Sequence, residues 1–197
     1  GLISPRSVVR SHFPLPKKMK KIIKCFKSSP KYSIKWDNYF DIYEKHFDRF
    51  VNESPTILEI GVHGGGSLEM WKNYFGDGAK IIGVDINPEC KQHESEGIEI
   101  YIGSQDDTAL LDLIKEKYKK FDIIIDDGSH IMSHMKKTFD ELYESVQEHG
   151  LYLVEDTHTC YWKEYEGGLK KTDSFIEVAK ELVDHLNAVH TRGEVPI

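Results

Sequence analysis

Five short apolar runs recur along the chain, each ending at or running into a glycine or an acid. They are TILEI running into Gly61, KIIGVD ending at Asp85, IEIYI ending at Ile102, FDIIID ending at Asp126, and LYLVED ending at Asp156. Runs of this length, rich in β-branched residues and closed by turn-forming residues, predict buried strands. The stretches between them follow a different period. Leu68, Trp71 and Tyr74 fall at intervals of three and four, as do Leu110, Ile114 and Tyr118, and then Met135, Phe139, Leu142 and Val146. The same spacing runs from Trp36 through Tyr39, Phe40, Tyr43 and Phe47 to Phe50, and again through Phe175, Val178, Leu182 and Leu186. These are amphipathic helices. Apolar strands alternating with helices predict an α/β fold, a doubly wound, mostly parallel sheet covered on both faces in three layers.

Length and composition fit one such domain: 197 residues, 39% hydrophobic and 11% aromatic, are enough for a sizeable core. Charge divides the chain. Residues 1–36 hold ten Lys or Arg and no acid, leaving 16 of the 26 basic residues to face all 33 acids. The expected organisation is therefore a basic N-terminal extension over residues 1–34 and a single domain over 35–197. A basic arm can bind nucleic acid, but the reading favoured here is a solvated or subunit-clasping extension, so nucleic acid is not the expected partner and a homo-oligomer is left open. Three cysteines, Cys25, Cys90 and Cys160, show neither disulfide nor zinc-knuckle spacing. No apolar run reaches membrane-spanning length and no secretory signal opens the chain. A cytoplasmic setting, away from membranes, is expected.

In a doubly wound sheet, ligands bind beyond the carboxyl ends of the strands, and the polar residues of this chain gather there. After the first strand stands EIGVHGGGS, Glu59 to Ser67, where glycines let the backbone turn tightly and approach a ligand. His63 replaces the second glycine of a GxGxxG fingerprint, so this signal alone is modest. Asp85 follows Gly61 by 24 residues, the place for an acid that accepts hydrogen bonds from ribose hydroxyls; Asp85 could equally start a turn with Asn87 and Pro88. After the third strand, GSQDD could meet an adenine edge, or Asp106 or Asp107 could cap the next helix. The fourth and fifth strands place Asp126, Asp127 and His130 at one end and Glu155, Asp156 and His158 at another. Four carboxylates near one cleft repel each other and call for a cation between them. All-oxygen ligation suits Mg²⁺ or a similar divalent ion. His130, three residues from Asp127, is the candidate general base, because an imidazole titrates near neutrality. His134, four residues further, keeps a zinc site open as a minor alternative.

On EIGVHGGGSLEMW, GVDINP, IGSQDD, FDIIIDDGSH and GLYLVEDTHTCYW, in that order and spacing, the chain resembles the class I S-adenosylmethionine-dependent methyltransferases. Within them it resembles the metal-dependent branch typified by the macrolide-sugar (macrocin- and mycinamicin-type) O-methyltransferases. The resemblance covers roughly Lys35 to Trp162. It implies a Rossmann-like fold with Glu59, Gly61, His63, Gly64, Gly65 and Ser67 around the methionine end of the cofactor. It puts Asp85 on the ribose, Ser104 and Gln105 beside the adenine, and Asp126 among the cofactor contacts. It also implies Mg²⁺ on Asp127, Glu155 and Asp156, with His130 as base. Lys35, Trp36 and Tyr39 resemble a segment that covers the cofactor, and His158, Tyr161 and Trp162, with Trp36 and Tyr39, are candidates for the acceptor pocket. Class I sheets close with an antiparallel hairpin, but only TRGEVPI follows His190. Those final strands are expected to be absent or truncated.

The expected function is Mg-assisted O-methylation of a small polyhydroxylated acceptor, sugar-like or catechol-like, in natural product biosynthesis. Two alternatives compete with it. One is a metal-dependent hydroxylase or hydrolase on the same fold, for which His130, His158 and Asp127 could supply a facial triad. The other is a non-enzymatic module that binds cofactor or RNA.

Overall fold

Five strands form one sheet: β3 (Thr56–Ile60), β4 (Lys80–Asp85), β5 (Ile98–Ile102), β6 (Phe121–Asp126) and β7 (Val146–Val154), in the spatial order β5-β4-β3-β6-β7 with every pairing parallel. The computed structural model describes residues 21–190, together with the backbone of the short strand β1 (Val8–Arg10). Counted from the first strand, the order is 3-2-1-4-5, the arrangement of a Rossmann-like methyltransferase sheet. The order reverses between β3 and β6, which opens a crevice at their carboxyl ends.

The layers follow from the alternation of side chains along each strand. Ile57, Ile81, Ile100, Ile123 and Ile125 point to one face, where α1 (Lys21–Ser28), α2 (Tyr39–Phe47) and α3 (Gly66–Phe75) bury Ile22, Phe26, Phe40, Phe47, Trp71 and Phe75. Leu58, Ile60, Ile82, Val84 and Ile124 point to the other, against Leu111 and Ile114 of α4 (Thr108–Tyr118) and Leu142 of α5 (Met132–Leu142). Helix α6 (Phe175–Leu186) joins a third, smaller cluster with Met132, Met135, Phe139 and Cys160. Helix α1 lies in the stretch read as an extension, yet its Ile22, Ile23 and Phe26 belong to the main core.

Three boundaries differ from the pattern reading. Trp36 does not begin a helix; it ends strand β2 (Ile34–Trp36), which pairs in parallel with β1, and α2 starts only at Tyr39. Val146 is not the last turn of α5 but the first residue of β7, because the chain passes through a 3₁₀ turn at Tyr143–Ser145 and pairs with Phe121. The last strand also stops at Val154, leaving Glu155 and Asp156 beyond it. An amphipathic spacing cannot separate a helix's last turn from the first inward residue of the next strand. Asp107, by contrast, caps α4 as its spacing suggested, accepting from the Ala109 and Leu110 amides. The end of the chain, on which the missing hairpin turned, lies at 191–197, outside the described residues, as do most of the basic residues of the arm. Among the described residues no helix is long and apolar enough to cross a membrane.

Candidate functional site

A cavity of about 660 Å³ opens at the carboxyl ends of β3, β4 and β6, bounded by Gly61, His63 and Ser67 on one side, Asp85, Ser104 and Gln105 on another, and Asp127 and His130 at its far end. Its volume falls in the range of small-molecule sites. The site residues reach this wall through strained turns. His63, His130 and Asp156 all have positive φ, at 49°, 58° and 50°, in the left-handed region that residues with a Cβ seldom enter. They stand two to four residues past a strand end, where the chain turns sharply.

Asp85 faces the cavity with its carboxylate already oriented by backbone amides: Oδ2 accepts from Val62 and His63 at 2.8 and 2.9 Å, and Oδ1 from Asn87 at 2.9 Å. Burial alone would raise its pKa, but these N–H groups outweigh it and hold the carboxyl below the usual range. Asp85 therefore both starts the turn with Asn87 and presents a fixed anion to the cavity. Ser104 and Gln105 lie on the adjoining wall. Gln105 is held by an internal network, its amide donating to Asp126 and Thr138 and its carbonyl accepting from the Ser129 amide at 2.6 Å.

Four residues singled out in the sequence stand behind this wall rather than in it. Glu59 is 0% exposed and accepts from the Trp71 indole at 3.0 Å. Asp126 is buried under Gln105, and burial pushes its pKa up to about 7. Gly64 and Gly65 make room for the chain itself: a Cβ on Gly65 would lie 2.6 Å from the His93 ring, and one on Gly64 would lie 2.6 Å from the Tyr32 carbonyl in the segment before β2. That segment brings Ser33 and Ile34 onto the cavity wall.

At the far end the acidic residues meet. Asp127, His130 and Asp156 can each offer one ligand atom, all within 4.8 Å of one another, and they are the one such group of three or more found among the described residues. His130 Nε2 lies 3.8 Å from Asp127 Oδ1 and 3.9 Å from Asp156 Oδ2. The two half-buried carboxylates, with the imidazole beside them, suit a divalent cation that keeps some of its water. His134 turns elsewhere, bonding Ser129 Oγ at 3.1 Å and lying 3.6 Å from Asp106, so it shares no ligand group with His130. His158 is likewise outside the group, and no two-histidine facial triad forms among the described residues.

Glu155 is engaged differently from its neighbour. It is buried, and its two oxygens accept from Lys35 Nζ at 2.8 and 2.9 Å and from the Tyr43 hydroxyl at 2.5 Å. Lys35 also reaches Asp127 Oδ2 at 2.6 Å and Glu59 Oε1 at 3.6 Å. Burial pushes the ammonium toward releasing its proton, but Asp127 and Glu155 outweigh that and hold it charged. One ammonium does not balance so many buried acids. Burial and Asp127 accordingly push Glu155 up against the pull of Lys35, and burial raises Glu59 to about 7.

Trp36 and Tyr39 serve Asp156 directly. The Trp36 indole and the Tyr39 hydroxyl donate to Asp156 Oδ1 at 3.1 and 2.8 Å, and the Asp156 amide donates to the Tyr39 hydroxyl at 3.0 Å. Beyond them a chain of rings runs from Trp36 to His158, Trp162, Tyr165 and back to His130, with centroids 4.9–6.4 Å apart. Trp162 is 48% exposed, so this aromatic rim is open to an incoming molecule; Tyr161 lies outside it. Tyr43 and Tyr165 were not foreseen. Tyr43 read only as one more apolar position on a helix face, and Tyr165 falls in a segment without periodicity.

Raised acids make a testable statement about stability. Glu59 takes up its proton more readily folded than unfolded, so its contribution is complete below its ordinary value near 4.5 and is lost as pH rises through about 7. Replacing it with glutamine removes that dependence. In thermal melts from pH 4.5 to 7.5, Glu59→Gln is expected to show a flatter decline than the wild type, by about 2–3 kcal/mol across the window. Parallel curves would show that Glu59 does not titrate there.

No family model matches the chain. Curated relatives do. Demethylmacrocin O-methyltransferase of Streptomyces fradiae is 41% identical over 155 residues, 73% of this chain and 38% of that protein. Mycinamicin VI 2''-O-methyltransferase of Micromonospora griseorubida is 43% identical over 133 residues, 64% of this chain and 33% of that protein. The chain thus spans well under half the length of these relatives. Among solved structures, the MycE methyltransferase of the mycinamycin biosynthetic pathway, in complex with Mg, SAH and mycinamycin VI, superposes with a TM-score of 0.73 at 35% identity. That match covers 81% of this chain and 42% of MycE.

Proposed function

We propose, for a chain whose fold is that of the class I methyltransferases and whose curated relatives are sugar O-methyltransferases, that it binds S-adenosylmethionine and a divalent cation and methylates a hydroxyl of a sugar-like acceptor. The observation that carries this reading is a cavity with the Asp85 carboxylate at one end and Asp127 and His130 at the other, beside Asp156. A nucleoside held at Asp85 extends toward the group that would receive the acceptor. MycE was solved with SAH and Mg, and both fit the donors of this chain: an anion for ribose hydroxyls, and two carboxylates for a hard cation.

When bound, the cofactor supplies a methyl group on a sulfonium and the cation lowers the pKa of a coordinated hydroxyl. The residues do the rest. Asp127 and Asp156 hold the cation and so orient adjacent oxygens of the acceptor. Trp36 and Tyr39 fix the Asp156 carboxylate from behind. His130 would remove the acceptor's proton, leaving the acceptor oxygen free to take the methyl group that the cofactor would supply. Holding the acceptor in place in a site shielded from water would provide much of the acceleration. The rim of Trp36, His158, Trp162 and Tyr165 offers the apolar faces on which a sugar ring stacks.

Calorimetric titration with S-adenosylhomocysteine, with and without Mg²⁺, tests the reading, followed by methyl transfer to demethylmacrocin and mycinamicin VI. Micromolar binding is expected. Asp85→Asn, which keeps the side-chain shape but removes the charge, is expected to weaken it about tenfold or more. No binding under either condition would overturn the methyltransferase reading.

A further inference from the structure

We infer that Lys35 is a resident cation of the acidic cluster, a positioning residue that sets how tightly the adjacent Asp127–His130–Asp156 group takes a divalent ion. The inference rests on reading that group as a cation site. Lys35 is 2% exposed, and its ammonium sits among three carboxylates, at 2.6 Å from Asp127, 2.8 Å from Glu155 and 3.6 Å from Glu59. The Glu59 oxygen facing it is fully buried and has no hydrogen-bond partner, so the interaction it has with Lys35 is one of charge. Buried lysines are rare because desolvating an ammonium is costly unless it is paired. This one is paired on several sides.

Asp127 is the link between the two sites. Its Oδ2 belongs to Lys35, while Oδ1 faces His130 and the candidate ligand group. An ion held by Oδ1 therefore shares a carboxylate with a fixed positive charge, and like charges a few ångströms apart repel even at moderate dielectric. Lys35 is not free to withdraw. Its strand β2 pairs with β1, and the neighbouring Tyr32 bridges to Gly65 in the turn after β3. Lys35 thus does two things: it neutralises Glu155 and Asp127 so that the cluster folds without metal, and it keeps the affinity for a divalent ion moderate.

The test compares the full chain with Lys35→Met, an uncharged side chain of similar length, by Mn²⁺ titration followed by electron paramagnetic resonance and by melting in EDTA and in Mn²⁺. Lys35→Met is expected to bind Mn²⁺ at least tenfold more tightly than the wild type. It is also expected to melt lower in EDTA and to recover in Mn²⁺ by a larger rise than the wild type shows. Equal or weaker Mn²⁺ binding by a folded Lys35→Met protein overturns the inference and leaves the cation site standing. Binding by Lys35→Met alone, with none by the wild type, sustains the inference and removes the cation from the wild-type mechanism. If neither binds, both fall. Should Lys35→Met not fold in EDTA, recovery of folded protein by Mn²⁺ supports the inference. Failure of Lys35→Met and Lys35→Gln to fold with Mn²⁺ present overturns it.

Discussion

His130→Asn is expected to lower turnover by about a hundred- to ten-thousand-fold while leaving S-adenosylhomocysteine affinity within about twofold of the wild type. Asparagine is the informative choice because His130 has φ 58°, a conformation that asparagine enters far more readily than alanine. The turn after β6 then survives the substitution, and the loss reports chemistry rather than misfolding. His130 stands between two carboxylates at 3.8 and 3.9 Å and against the Tyr165 ring, with no hydrogen bond short enough to fix it as a purely structural group. A base must reach the hydroxyl oriented by the cation, and His130 occupies the side of the ligand group that faces the cavity. Full turnover by His130→Asn would remove the base assignment. If turnover instead returned to normal at saturating Mn²⁺, His130 would be a ligand of the ion and not the base.

The largest structural effect is expected at Gly61. It leaves β3 with φ 96°, and a Cβ built there would stand 2.1 Å from the Asp127 carbonyl oxygen and 2.7 Å from its carbon. Both are backbone atoms, so no side chain can swing aside. The contact lies where the sheet order reverses: Gly61 donates to Val84 at 2.8 Å, and Asp127 donates to Ile60 at 2.9 Å, so β3, β4 and β6 are tied together within one residue of the crevice. Gly61→Ala must push β6 away from β3 and take Asp127 with it. A loss of about 4 kcal/mol or more is expected, seen as absent soluble protein or a strongly lowered melting temperature. Gly168→Ala is the control: its nearest neighbour is a side-chain atom at 3.4 Å, and a change within about 1 kcal/mol is expected. Equal stability of the two variants would show that the β3–β6 approach is softer than the geometry implies.

The two glycine effects have separate causes, which a sequence does not distinguish. Gly61 permits the approach of β6, while Gly64 and Gly66 permit the approach of residues 31–33. All three read alike, as a turn that admits a ligand. The glycine loop does border the cavity, but part of its smallness is spent on the chain itself.

What the sequence by itself determined was the alternation of strands and helices, and with it which residues stand near strand ends. Period and turn chemistry are local, and they were enough to make Asp85, Asp127, His130 and Asp156 candidates. Their grouping depended on strand order, which the alternation of elements with right-handed crossovers strongly constrains. Tertiary structure alone decided how the charges are shared. Lys35 lies 92 residues from Asp127 and 120 from Glu155 in the chain, and the resemblance that singled it out gave it no partner among the acids. Only the folding of β2 across the end of the sheet places an ammonium among the carboxylates, because electrostatic pairing depends on distance in space and burial, neither of which has a period along the chain.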